Sequence, residues 1–167
     1  MNYEDINFEE WQNLTVLDHD QIDYKSLPEK ALESLALSNE LYIATSALVE
    51  LSIRESKLAP LVASQILSNS LGDSYLQASA LSVLFKMERK QALDFMRKHT
   101  TFNDPILLNK IMELIMENED DFILEPNSHL IGLILERLEK PENEENSTTA
   151  KADFLNIYAS KLTLEIL

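Results

Sequence analysis

The residues with the most obvious chemical potential in this chain are acidic. The string DHDQID sets Asp18, His19, Asp20 and Asp23 within six residues. Carboxylates beside an imidazole are donor types that a divalent cation accepts, but no glycine supplies the sharp turn that a calcium loop needs. An acidic turn ahead of a helix is the simpler reading, and no metal site is expected. A second set, Glu113, Glu117, Glu119, Asp120, Asp121 and Glu125, lies in the stretch 111–135, which has no Lys or Arg. Neighbouring carboxylates serve general acid–base catalysis when their surroundings drive their pKa values apart. In a chain with 29 acidic side chains, though, such crowding arises by composition alone. Nothing else in the inventory points to catalysis. His19, His99 and His129 form neither an i, i+4 pair nor an HExxH string, and Ser64 to Ser70 contains no G-x-S-x-G elbow. A glycine-rich phosphate loop is missing too, so neither catalytic residues nor a cofactor are expected. The acids read instead as partner-binding groups. Glu117, Glu119, Asp120, Asp121 and Glu125 are the first candidates, and the amino-terminal Glu9, Glu10, Asp18, Asp20 and Asp23 are the second.

Charge narrows the partner. Fourteen basic against 29 acidic side chains leave a formal charge of −15 over 167 residues. A field of that sign repels phosphate backbones and anionic membrane surfaces, so no direct nucleic-acid or membrane contact is expected, and a basic protein is the natural complement. The charge is also unevenly mixed. Residues 1–24 hold seven acids and no Lys or Arg, whereas bases gather at Lys86, Arg89, Lys90, Arg97 and Lys98. The chain has no cysteine, which suits a reducing compartment. The opening MNYEDINFEEW lacks the apolar run of a secretory signal, and no segment has the apolar length of a membrane span. A cytosolic location is expected.

The elements that position these acids read as helices. Only two glycines and five prolines occur, too few for the frequent turns of a sheet protein. Residues 1–25 form an irregular acidic segment with Phe8 and Trp11 as anchors and room for a short strand near Val16. Ser26 and Pro28 open a helix that runs to about Leu37. Ser38 or Asn39 caps the next, with Leu41, Ala44, Leu48 and Leu51 on one face, and Leu58 to Ser68 is its return partner with Leu61, Val62, Ile66 and Leu67 as the stripe. Pro60 falls in the first turn, where it breaks no internal hydrogen bond, and Gly72 is a candidate left-handed residue. Asp73 caps SYLQASALSVLFKM, whose Leu76, Ala80, Val83, Leu84 and Met87 share a stripe. Lys90 to His99, with Ala92, Leu93, Phe95 and Met96, folds back on it as a hairpin. Asp104 with Pro105 starts a helix with Leu107, Ile111, Leu114 and Ile115, and its mate begins near Pro126 with Leu130, Ile131, Ile134, Leu135 and Leu138. After an exposed loop at 141–149, a closing helix from about Ala150 aligns Leu155, Tyr158, Leu162 and Ile166.

These hairpins repeat. Ala47-Leu48 with Leu51 recurs 33 residues on as Ala80-Leu81 with Leu84, and the Leu81 and Leu84 pair recurs 30 residues later as Ile111 and Leu114. The fold predicted is all-α, a single domain over 1–167 of about seven or eight helices in stacked antiparallel hairpins, with repeats over 26–140 and a capping helix over 150–167. The string DSYLQASALSVL at Asp73 to Leu84 resembles the second helix of a HEAT-type repeat, with an aspartate cap, a central small residue and paired aliphatics. Gln77 stands where that repeat usually carries a base, so the class is HEAT-like. The likeness extends over Pro28 to Lys140 and implies an α-solenoid that presents an interaction surface. A small, acidic, cysteine-free helical stack is also similar in type to the immunity proteins of bacterial polymorphic and contact-dependent growth inhibition toxins. That resemblance implies a protein partner, a basic toxin domain of nuclease type. The alternatives are a HEAT-like adaptor that holds a peptide and, behind it, an α-helical enzyme.

Overall fold

Helices begin where the side chains can satisfy the free amides of a first turn. Asp73 accepts from the Leu76 amide at 2.9 Å, and Asp104 accepts from the amides of Ile106 and Leu107, both at 3.0 Å, with Pro105 at the first helical position. The computed structural model describes residues 19–99, 104–123, 127–139 and 149–162. They form α1 (Glu29–Ala36), α2 (Leu41–Ile53), α3 (Leu58–Ser68), α4 (Ser74–Met87), α5 (Arg89–His99), α6 (Pro105–Glu117), α7 (Ser128–Leu138) and α8 (Thr149–Leu162). Short 3₁₀ turns lie at His19–Gln21, Tyr24–Ser26 and Glu119–Phe122, and the described residues contain no strand. Val16 and its expected strand fall outside them. Neither Ser38 nor Asn39 is the cap of α2, a position taken by Glu40 without a side-chain bond.

The chain divides into two units, residues 1–89 and 90–167. The division falls inside the stretch 73–99 that the sequence joins into one hairpin. In the first unit α1 packs against α2 and α3 against α4, while α1 also meets α3 and α2 meets α4. Two stacked hairpins make such a set of contacts. Their pairing is offset by one helix from the expectation that α3 is the main mate of α2. Connections are equally short on either side, so loop length does not decide the pairing. α2 buries Ile43, Ala44, Ala47, Leu48 and Leu51, a face too broad for one neighbour. The repeated positions are all buried: Leu48, Leu51, Leu81 and Leu84 here, Ile111 and Leu114 in the second unit. Leu61 breaks its stripe, being 64% exposed on α3 while Val62, Ile66 and Leu67 are buried.

Local geometry closes the first unit. After α2 the amide of Ser56 donates to Leu51 O and that of Glu55 to Ser52 O, and after α3 Leu71 and Ser70 repeat the pattern onto Ile66 and Leu67. Such closure requires a left-handed residue at Glu55 (φ 53°) and Ser70 (φ 50°). Gly72 is left-handed as expected (φ 67°), and a Cβ there would stand 2.5 Å from Leu76 Cδ2, so both backbone and space require glycine. Arg54 fastens the turn before α1. Its Nε donates to Glu50 Oε1 at 2.8 Å, Nη1 to Leu27 O at 2.7 Å, and Nη2 to Tyr24 O and Lys25 O at 2.8 and 2.9 Å. In the second unit α8 packs on both α6 and α7, and the turn Glu119–Phe122 lies against α6 and α7. The extensive partner of α6 is thus α8 rather than the expected α7. The stripe that seats α8 is Phe154 and Tyr158, whose rings lie 4.7 Å apart, while Leu155 is only half-buried.

Candidate functional site

Acidic residues do converge, on the carboxyl-terminal end of α6 and the turn after it. Glu117 closes α6, and Glu119, Asp120 and Asp121 occupy the 3₁₀ turn; all four are exposed. The backbone beneath them is fixed. Phe122 is fully buried and anchors the turn, Asn118 Nδ2 donates to Leu114 O at 2.9 Å, and the Asp121 amide donates to Asn118 O at 3.0 Å. Asn127, before α7, donates from Nδ2 to Asp121 O at 2.8 Å and accepts from Arg97 Nη2 at 2.9 Å, while Arg97 Nη1 pairs with Asp94. Four carboxylates are therefore carried on a backbone held underneath through Asn118 and Asp121. The frame does not have to be ordered when a partner arrives.

A groove adjoins this turn. About 380 Å³ of open space is lined by Glu113, Met116 and Glu117 from α6 and by Asp153, Asn156 and Ile157 from α8. Each helix contributes an i, i+3, i+4 triplet, the spacing that places side chains on one stripe. Met116 and Ile157 supply apolar surface, and Ile157 is 38% exposed. Glu113 already pairs with Lys110, which lies one residue outside the base-free stretch, so that stretch is less uncompensated than its sequence implies. Burial pushes the Tyr158 phenol up, and the Glu119 carboxylate adds to the shift.

The other candidates are placed differently. Asp20 and Asp23 are exposed in the first unit, Asp20 in the turn His19–Gln21 and Asp23 just before the turn Tyr24–Ser26. Glu9, Glu10, Asp18 and Glu125 lie outside the described residues. Among the described residues no group of three or more His, Asp or Glu side chains is arranged to hold a metal ion. His99 stacks on Phe95 at 3.7 Å with its Nδ1 2.9 Å from Phe95 O, a local arrangement at a helix end. Several clustered bases also have local partners. Lys86 Nζ donates to Ser52 O at 3.4 Å, and the Arg89 guanidinium sits 4.1 Å over the Phe85 ring. Asp153, Asn156, Ile157 and Met116 are absent from the sequence-level candidates. Their one signal is the i, i+3, i+4 spacing, which becomes informative only when α6 and α8 are known to be neighbours. Among the described residues no helix is long and apolar enough to cross a membrane.

No protein-family model matches the chain, and neither curated proteins nor solved structures give a match. Function must be argued from the site itself.

Proposed function

We propose that this chain is a non-catalytic protein-binding module whose acidic turn engages a basic protein. Support comes from one observation above the others: the exposed carboxylates of Glu117, Glu119, Asp120 and Asp121 stand on a backbone secured by Phe122 and Asn127. Opposite charge on a partner would steer encounter toward ~10⁸ M⁻¹ s⁻¹ at low salt. On this reading the scaffold is HEAT-like, consistent with the two stacked hairpins of the first unit, and the protein acts in the cytoplasm. Its particular role is that of an immunity protein that neutralises a bacterial toxin domain of the basic, nuclease type, by covering the cationic surface that such a domain offers to nucleic acid.

The test is capture followed by toxicity. Proteins crosslinked to the native chain in its own cells are compared with those crosslinked to a variant carrying Glu119→Lys, Asp120→Lys and Asp121→Lys. The expected partner is basic, is lost in the variant, arrests growth when expressed alone and is silenced by co-expression of the native chain. A partner held equally by the charge-reversed variant would reject the acidic turn, and a partner harmless on its own would reject the immunity role.

A further inference from the structure

Beside the acidic turn, the α6–α8 groove combines two features that a merely solvating surface does not need together. Its lining includes Met116 and Ile157, and its carboxylates come from both walls, Glu117 on α6 and Asp153 on α8. Ile157 flanks the seated Phe154 and Tyr158 on α8 and stays 38% exposed at the groove. Methionine is a flexible, polarizable side chain that adapts to varied apolar ligands. Both walls carry lining residues at i, i+3, i+4, a rise of about one helical turn, which an amphipathic helix laid in the groove would match.

We infer that this groove receives a cationic amphipathic helix of the partner, seating one large aliphatic side chain on Met116 and Ile157 between lysines or arginines that reach Glu117 and Asp153. Asn156 adds a carboxamide that can accept from or donate to the ligand's polar groups. Glu113 contributes less, since Lys110 already neutralises it. The inference rests on the reading of the neighbouring turn as a surface for a basic protein, and adds that recognition is apolar as well as ionic.

Two fluorescent probe peptides separate the contributions in binding to the full chain. One is an amphipathic helix of lysine and leucine, and the other is an oligolysine of equal charge. The lysine–leucine peptide should bind at least about tenfold more tightly, as burial of one large aliphatic side chain implies. Ile157→Gln and Met116→Gln, both helix-compatible, should remove most of that advantage while leaving oligolysine binding unchanged. Equal affinity for the two peptides, or an advantage that survives both substitutions, would overturn the groove. The acidic turn is tested separately: if Glu119→Lys, Asp120→Lys and Asp121→Lys together leave oligolysine binding unaltered, the ionic reading fails whatever the groove does.

Discussion

In residues 19–89 Arg54 and Lys86 are turned toward the protein's own backbone, whereas in 104–159 a set of carboxylates is exposed. Arg54 joins buried Glu50 to three carbonyls of the turn before α1, and Lys86 reaches a carbonyl of α2. Glu117, Glu119, Asp120, Asp121 and Asp153 are all exposed around one turn and one groove. Charge that bonds backbone within a unit stabilises an element, and charge exposed on a fixed backbone can meet a partner. The same composition thus serves different ends, depending on whether donors and acceptors meet inside the unit.

The largest effects that can break this contrast come from the two cores. Phe122→Ala should cost about 3 to 5 kcal/mol and Leu84→Ala about 2 to 5 kcal/mol in denaturant unfolding, since both side chains are buried. Only the Phe122 change should also weaken capture of a basic partner, because it unseats the acidic turn. A stability loss under about half a kcal/mol at Leu84 would mean that the stripe of α4 is misassigned. Next in size, Arg54→Met should cost about 2 kcal/mol, because it strips several acceptors of their donor and leaves Glu50 buried; the partial exposure of the pair keeps the figure below that of a fully buried one. Charge reversal at Glu119, Asp120 and Asp121 should move stability far less, within about half a kcal/mol each.

The two glycines give opposite effects. Gly72→Ala should lower stability by at least about 1 to 2 kcal/mol, the cost of a left-handed alanine before the clash with Leu76 is counted. Gly132→Ala in α7 should raise it by about 1 kcal/mol, since an added Cβ meets nothing within 4 Å. Melting curves of the two variants should therefore shift in opposite directions.

The smallest effect is one of pH. Tyr158 keeps its proton more tightly folded than unfolded, so its contribution is intact below the unfolded pKa near 10 and is lost as pH rises toward the folded value. Glu119→Gln should lower that folded value modestly, because burial is the larger cause. Ultraviolet titration of tyrosinate, with Tyr158→Phe as the blank, reads the change; no displacement would separate Glu119 from α8.

Much of the fold is legible in the chain because the signals are local. Asp73 and Asp104 cap as their positions imply, and the Leu48, Leu81 and Ile111 repeat falls on buried sites. What is not legible depends on partners distant in sequence. Nothing before the structure distinguishes Leu61 from Val62, or favours α8 over α7 as the mate of α6, since each offers an adequate apolar stripe. The acidic turn is visible as a charge run. Its anchors Phe122, Asn127 and Arg97 are not, and neither is the groove, whose residues 113–117 and 153–157 come from separate helices.

The most direct measurement is to titrate the isotope-labelled full chain with the lysine–leucine peptide and follow its backbone amides by nuclear magnetic resonance. If the second unit's acidic surface is the recognition surface, the largest shifts fall within 113–123 and 153–158 and are screened away by salt. Largest shifts within 19–89, or shifts indifferent to salt, would contradict that assignment.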